Sequence, residues 1–314
     1  MKKNQVLSTL ERSDTAAISL GDYARQVIEQ QYHAAIKQEQ KVLADKKPEP
    51  LHQMRVGLRR LRTALKVFKD VVVLPKVARE TELRDVARVL GELRDLDVQL
   101  ASLQTDYRPR LVESEQTQLD KAIAALLQRR TKTSRTVVAT LGKPRYQKLK
   151  AAYESWLANP TYKPLAELSL VSTLPDLLTP LLSTLLLHPG WLISLDAISK
   201  ENSEILHDLR KACKHARYQA EFFTPFYGAA FQDWVNEIKD LQSRLGELHD
   251  AQVMTTLLAD ELNGSHLPDL HSKLAVNQEQ AMSDWETIRH RYLSTDFRYR
   301  LHHVILNPSA HSEQ

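Results

Sequence analysis

The stretch 51–69, LHQMRVGLRRLRTALKVFK, holds six arginine or lysine side chains and no acidic one. Its apolar residues alternate between spacings of three and four, the period of a buried helix face: Leu51, Met54, Leu58, Leu61, Leu65 and Phe68. A basic row follows one position later, about 100° around the helix: His52, Arg55, Arg59, Arg62, Lys66 and Lys69. The stretch therefore predicts a helix with one buried face and a cationic edge beside it.

The same pattern occurs again 155 residues further along the chain. LHDLRKACKHARYQAEFF from Leu206 matches the first stretch, and LGELHDAQV from Leu245 matches LGELRDLDV from Leu90 at the same offset. Two matches at one spacing predict an internal repeat, and hence two lobes of antiparallel helices, each with its own apolar core. The second basic row ends at Glu221 and comprises His207, Arg210, Lys214 and Arg217, with His215 in the place of Arg60 and Lys211 as an added cation.

Helical periodicity dominates the remaining sequence, and signals for β-hairpins are absent. The predicted fold class is therefore all-α, with two pseudo-symmetric four-helix-bundle lobes and a basic cavity between or along them. With breaks near prolines, the predicted helices cover 20–45, 50–72, 76–105, 110–141, 145–158, 176–188, 195–224, 228–262 and 267–306, the last broken near Ser294. The predicted organisation is a flexible tail 1–18, a first lobe 19–158, a linker 159–175, a second lobe 176–306 and a C-terminal tail 307–314.

The composition is that of a soluble globular protein, with 26% charged and 42% hydrophobic residues and a net charge of +4. The first residues lack the apolar run of an export signal. The only cysteine, Cys213, excludes an intramolecular disulfide and a cysteine-based zinc site. A cytoplasmic location is expected. The apolar segment 177–195 is interrupted by Pro180, His188 and Pro189, which favours a buried helical hairpin over a membrane span.

The basic rows need an anionic partner. A solvated helix face normally mixes charges of both signs, whereas here like charges repel, so either carboxylates of a neighbouring helix or a ligand must offset them. From His52 to Lys66 the row covers about 20 Å, which exceeds one phosphate ester and suits an extended polyphosphate bound by arginine forks and lysine point charges. Phe68 is the only aromatic residue between Leu51 and Asp106, which disfavours single-stranded nucleic acid. Duplex DNA bound through its backbone stays open.

The second repeated motif places a glycine, Gly91 or Gly246, inside a helix. Each costs about 1 kcal/mol against alanine, which the close approach of another helix would offset. Further predicted site residues lie on the glycine side of these helices: Arg84, Arg88, Asp95, Lys239 and Asp250. The two aspartates are predicted to hold arginine or histidine side chains in place, with an ordinary interhelical ion pair as the alternative.

A metal-dependent phosphohydrolase is the alternative function, because two His-Asp pairs are similar to those of HD-type enzymes. The pairs are His207 with Asp208 and His249 with Asp250. The first copy has Gln53 and Arg94 at two of these positions, so no repeated metal set emerges. No catalytic residue, metal or cofactor is therefore predicted.

These motifs resemble the CHAD domain, the conserved histidine alpha-helical domain, over about residues 20–306. The residues that carry the resemblance are His52, Arg55, Arg59, Arg60, Arg62, Leu90, Gly91, Arg94 and Asp95, with His207, Arg210, Lys214, His215, Arg217, Leu245, Gly246 and Asp250. The resemblance implies two four-helix bundles around a basic cavity that binds inorganic polyphosphate, and in some members association with polyphosphate granules. It also implies that catalysis lies elsewhere, often in a triphosphate tunnel (CYTH) domain, whose ExExK signature is missing here because ESEQT from Glu113 lacks the lysine.

The sequence thus predicts a non-catalytic polyphosphate-binding protein, with polyphosphate granules or polyphosphate-metabolising enzymes as further partners. No membrane is expected among them, and the backbone of duplex nucleic acid is kept as an alternative ligand. The predicted binding residues are His52, Arg55, Arg59, Arg60, Arg62, Lys66, Lys69, Arg84, Arg88, His207, Arg210, Lys211, Lys214, His215, Arg217 and Lys239. Because Glu221 ends the second row, the second lobe is expected to hold phosphate less strongly than the first.

Overall fold

The computed structural model describes residues 18–198, 202–261 and 267–308, and these residues form helices joined by short loops without a β-strand. The helices are α1 Leu20–Ile36, α2 Glu39–Ala44, α3 Pro48–Val67, α4 Glu80–Ser102, α5 Glu113–Leu141, α6 Pro144–Ala158, α7 Leu170–Leu186, α8 Ser203–Phe223, α9 Ala229–Glu261, α10 Pro268–Ala281, α11 Trp285–Leu293 and α12 Thr295–Leu306. The all-α prediction is confirmed. Most of the predicted tails, 1–18 and 307–314, lies outside the described residues.

Several predicted helices are divided in the structure. The predicted helix 20–45 is two helices, α1 and α2, and the predicted helix 267–306 is three, α10 to α12. The break near Ser294 is where it was predicted, and the Ser294 hydroxyl accepts a hydrogen bond from the Phe297 backbone N–H at 3.2 Å. Such a serine cap stabilises a helix start by about 1 kcal/mol, so the break also begins α12.

The predicted linker 159–175 is too long at its C-terminal end, because α7 already begins at Leu170. Pro175 lies inside this helix, as does Pro180. A proline in a helix interior costs about 3 kcal/mol, which was the reason to begin the helix after it. The α7 leucines that face the core are buried, and each contributes about 1.5–3 kcal/mol: Leu170, Leu174, Leu178, Leu182 and Leu185. Their burial outweighs the two prolines.

The core does not divide into one core per lobe, and that part of the prediction is wrong. One apolar cluster contains buried side chains from α1, α3 and α6 as well as from α7, α8, α9 and α12. At its centre Phe68 and Phe223, which correspond across the 155-residue offset, are 6.2 Å apart between ring centroids in an edge-to-face contact. The Tyr23 ring lies 5.2 Å from Phe226 and 6.4 Å from Phe68. Four aromatic rings therefore join the two predicted lobes into one core.

A smaller apolar cluster lies at the other end of the long helices. It combines the ends of α4 and α9 with the start of α5 and with α10, so it also contains residues of both predicted lobes. The buried Glu115 of α5 accepts hydrogen bonds from the backbone N–H groups of Asp269 and Leu270 at 3.0 and 3.3 Å. These groups belong to the first turn of α10, where a carboxylate is favoured by the helix dipole. Glu115 thus fastens α10 to the first half of the chain.

One stretch of the described residues, Leu170–Leu192, is long and apolar enough to cross a membrane by length and composition. The core helix of a globular protein can be equally long and apolar, and the α7 leucines do pack against α8 and α12 in the larger cluster. The predicted buried hairpin is consistent with this packing, since a short 3₁₀ helix, Pro189–Leu192, follows α7 and buries Trp191.

Gly57 lies where α3 closely approaches α1. A Cβ atom at this position would lie 2.7 Å from the Ala35 backbone nitrogen in α1. We expect Gly57→Ala to lower the free energy of unfolding by about 1–3 kcal/mol, since neither backbone can yield easily. Urea denaturation measures this change as a shift of the midpoint at constant slope.

Gly91→Ala is the matched control for this prediction. Its added Cβ would meet only the Arg55 side chain, at 3.8 Å, which is ordinary contact. The free energy of unfolding should stay level or rise by about 0.5–1 kcal/mol, because alanine is the better helix former. Equal losses at the two positions would contradict the helix contact at Gly57.

Candidate functional site

A cavity of about 750 Å³ lies where the N-terminal halves of α3 and α8 face the C-terminal halves of α4 and α9. The smaller apolar cluster forms one side of it through Tyr107, Ala251 and Met254. The ionisable side chains of the wall are His52, Arg55, Arg59, Arg94, Asp95, His207, Arg210, Lys214, Glu247, His249 and Asp250. Five are arginine or lysine and three are carboxylates, so the wall is cationic in excess before any histidine is protonated.

The position of the cavity follows from how α3 and α8 meet. Their C-terminal halves are in contact: the Arg59 guanidinium carbon lies 4.4 Å from the centroid of the Tyr218 ring, and Phe68 packs against Phe223. Their N-terminal halves line the cavity instead. At their N-terminal ends the two basic rows therefore face a common cavity. At their C-terminal ends α3 and α8 are in direct contact.

The innermost cations lack a carboxylate partner. Arg59 packs on Tyr218, and its Nε is buried without a hydrogen-bond acceptor among the described residues. Lys214 has no ion-pair partner in that part of the chain, and burial, together with Arg59 and Arg210, lowers the pKa of its ammonium to about 8. Burial also lowers the pKa of Arg59. An anion in the cavity would relieve both desolvation and repulsion.

Burial lowers the pKa values of the histidines in the cavity wall. Burial, aided by His249, Lys211 and Arg210, lowers the pKa of His207 to about 4. The His207 and His249 rings lie 4.0 Å apart between centroids, and burial lowers the pKa of His249 as well. The Nδ1 atom of His207 is buried without a hydrogen-bond partner within the described ranges. These rings can gain protons when an anion binds beside them.

The repeated glycines make room for arginine side chains of the site. A Cβ at Gly91 would lie 3.8 Å from Arg55 Nε, and one at Gly246 would lie 3.4 Å from Arg210 Nε. The predicted approach of another helix is therefore wrong at these positions, because it is an arginine side chain that lies across each glycine.

The two aspartates lie beside the same arginines. Asp95 Oδ1 accepts a hydrogen bond from Arg55 Nη1 at 2.7 Å, and Asp250 Oδ1 lies 4.0 Å from Arg210 Nη2. Both aspartates are more than half exposed. Each arginine is thus held between a glycine surface and an aspartate, with its side chain directed to the cavity.

The far ends of the basic rows do not reach the cavity. The predicted residues outside its lining are Arg60, Arg62, Lys66, Lys69, Arg84, Arg88, Lys211, His215, Arg217 and Lys239. Glu80 forms ion pairs with Arg62, Lys66 and Arg84. Glu221 forms ion pairs with Arg60 and Arg217.

Other predicted cations lie on outer faces. Lys69 pairs with Asp70, Arg88 with Glu92 and Lys211 with Asp208. His215 and Lys239 are exposed outside the cavity. These residues therefore stay predicted binding residues that the structure places outside the cavity.

Three ionisable residues of the wall, Arg94, Glu247 and His249, were not among the predicted site residues. Arg94 and His249 correspond at the 155-residue offset and line the cavity from α4 and α9. The position that Arg94 and His249 share in the second repeated motif could have identified them as site residues. The neutral groups Asn277 and Gln280 of α10 also line the wall, and no repeat points to them.

The two alternative functions fit this geometry less well. The described residues contain no group of three or more histidine, cysteine or carboxylate side chains that could hold a metal ion. Asp208, needed for the hydrolase, accepts a hydrogen bond from Lys211 at 2.7 Å. For nucleic acid, Tyr218 is only 2% exposed and covered by Arg59. Tyr107, also buried, receives a hydrogen bond from Asn277 at 3.0 Å. Neither ring offers a free face to a base.

Comparisons with known proteins agree with the fold. The crystal structure of the CHAD domain from the plant Ricinus communis matches 91% of this chain and 93% of its own, with a TM-score of 0.65 and 24% identity. PptA from Streptomyces chartreusis matches 90% of this chain and 99% of its own, with a TM-score of 0.58 and 15% identity. No curated protein shows a significant match. The family model of the CHAD domain matches residues 26–259. The chain therefore belongs to the CHAD domain family.

Proposed function

We propose that this protein binds inorganic polyphosphate in the cavity without transforming it. The observation that carries the proposal is the set of inner cations, Arg59, Arg94 and Lys214, which face one space and have no ion-pair partner among the described residues. Uncompensated cations in a half-buried wall are unfavourable unless an anion joins them. Membership of the CHAD family supports the same ligand.

The arrangement favours several linked phosphates over one. His52 to Arg59 and His207 to Lys214 each extend over two turns, about 10 Å of helix. Arg55 and Arg210 lie between these ends, one on each helix. A single phosphate ester would contact only part of this wall, whereas a chain of phosphates can contact both helices.

A concave wall also favours a thin, flexible polyanion over a duplex. The inner cations lie in a recess beneath the ends of α4 and α9. Duplex phosphates lie on a stiff, convex surface, which outer cations such as Lys239 would reach first. Duplex DNA should therefore compete poorly.

Isothermal titration calorimetry of the full chain with long-chain polyphosphate, tripolyphosphate and orthophosphate tests the proposal. We expect polyphosphate to bind, with an affinity that falls steeply as salt rises because counterions are released. Absence of binding at low salt would refute the proposal, and equal competition by duplex DNA at equal phosphate concentration would replace it with nucleic-acid binding. Phosphate release from polyphosphate with added Mg²⁺ or Mn²⁺, lost in His207→Ala, would establish the hydrolase instead.

The same titration should show proton uptake near pH 8. The pKa of Lys214 is about 8 in the empty site, and a neighbouring polyanion raises it, so binding at this pH takes up protons and weakens as pH rises further. Titrations in two buffers of different ionisation enthalpy measure the uptake. Lys214→Arg is the control, because arginine stays charged: its binding should persist at higher pH, and its proton uptake near pH 8 should be lost. Unchanged uptake would assign the proton to another group.

A further inference from the structure

Glu80 neutralises the far end of the first basic row. It is the first residue of α4, and its side chain is 16% exposed. Its Oε1 accepts hydrogen bonds from Arg62 Nε and Nη2 at 2.8 and 2.6 Å, and Lys66 Nζ lies 3.9 Å from the same atom. Arg84 Nη2 lies 3.6 Å from Oε2. One carboxylate thus neutralises three predicted binding cations, two from the first basic row and one from α4.

Glu221 neutralises cations from both halves of the chain in the same way. Its Oε1 accepts a hydrogen bond from Arg217 Nε at 2.8 Å within α8. Its Oε2 lies 3.0 Å from Arg60 Nη1 of α3, an ion pair by distance without the angle of a hydrogen bond. Glu221 occupies the place that Lys66 has in the first copy, so a cation of one row is replaced by an anion that binds its neighbours.

These two carboxylates lie just beyond the innermost uncompensated cations. Arg62 follows Arg59 by one helical turn, about 5 Å along α3, and Arg217 follows Lys214 by the same step. At both steps the environment changes from cations without partners to cations already paired. A phosphate chain can reach the second group only by displacing a partly buried carboxylate, which then loses its own ion pairs.

We infer that Glu80 and Glu221 are built-in counter-anions that limit the length of cationic wall available to polyphosphate, and so set its preference for chain length. The inference rests on the proposed function, since it names the specificity determinants of the same site. Removing Glu80 frees Arg62 and Lys66 of the first row, and removing Glu221 frees Arg217 of the second, so a longer segment of chain can bind.

Titration of Glu80→Gln and Glu221→Gln with tripolyphosphate and with long-chain polyphosphate at several salt concentrations tests the inference. Each variant should bind the long chain about tenfold or more tightly, which corresponds to about 1.4 kcal/mol. The salt dependence should steepen by about one to two released counterions. Affinity for tripolyphosphate should stay at the wild-type value, because the inner cations already hold it.

Glu82→Gln is the matched control. It lies on the same helix and loses the same charge, but its partner is the outward Arg145. Gains no larger than those of Glu82→Gln, or equal gains for short and long phosphates, would overturn the inference. Circular dichroism verifies folding of each variant; should Glu221→Gln unfold, Glu80→Gln decides the question, because Glu80 pairs without bridging α3 to α8. If the wild-type chain binds neither ligand, it is the proposed function that fails.

Discussion

Replacing Arg59 and Lys214 together by methionine should weaken polyphosphate binding by about a hundredfold to ten-thousandfold. Two charge-assisted contacts of about 1.5–3 kcal/mol each are lost, while methionine keeps an apolar stem of similar length. The calorimetric titration described above measures the change.

The matched control removes two charges outside the cavity. Arg88→Met with Lys239→Met carries the same net charge as the test variant, and both positions lie outside the lining. Its binding should fall only slightly. Equal losses in the two double variants would mean that binding follows net charge, and would place the site on the outer faces.

Replacing Lys214 by methionine should stabilise the protein when no polyphosphate is bound. In the folded chain the pKa of Lys214 is about 8, below its ordinary value of 10.5, so the folded state disfavours the charged form. This penalty is fully present below pH 8 and disappears as pH rises from 8 to 10.5, where the unfolded state binds more protons. Relative to Lys214→Met, wild-type stability should therefore rise by about 1–3 kcal/mol across this interval, after allowance for partial exposure.

Urea denaturation at several pH values checks the sign of this effect. Lys214→Met alone should be more stable than wild type near neutral pH, and this difference should disappear between about pH 8 and 10.5, because the other titrating groups are common to both proteins. A variant that is less stable than wild type at neutral pH would show that Lys214 contributes to the fold through its packing, and not mainly to the site.

Phe223→Ala should lower the free energy of unfolding by about 3–5 kcal/mol, the usual loss for a large buried aromatic residue. Phe223 is fully buried and contacts Tyr23 and Phe68, with ring centroids 6.0 and 6.2 Å away. Because these contacts join the two predicted lobes, the whole chain should unfold in one transition, both before and after the substitution.

Two probes follow this transition. Circular dichroism reports all helices, whereas tryptophan fluorescence is weighted towards the second half, which contains Trp191, Trp234 and Trp285 against Trp156 in the first. Coincident urea curves support one cooperative unit. Two separated transitions, with Phe223→Ala shifting only the fluorescence curve, would show that the lobes are independent in spite of their shared core.

Much of the fold was predictable because its determinants are local. The alternation of three and four along 51–68 identifies the buried face of α3, and every member of that stripe is buried in the structure. Pro48 and Pro144 each occupy the first position of a helix, where the missing N–H is no loss. Pro175 misled the prediction of α7, since the free energy that keeps this helix intact comes from leucines buried against distant helices.

What the sequence by itself determined is the identity of the rows: which side chains share an edge of α3 or α8, and that the chain carries the pattern twice. Only the tertiary structure decided which of them line the cavity. Periodicity fixes the angle of a side chain about its own helix axis, but electrostatic compensation depends on groups brought in by other helices. Glu80 and Glu221 form ion pairs with the far cations, whereas Arg59 and Lys214 form no ion pair within the described residues. Because Coulomb energy depends on distance in space and on burial, residues with the same place in the pattern end in different roles.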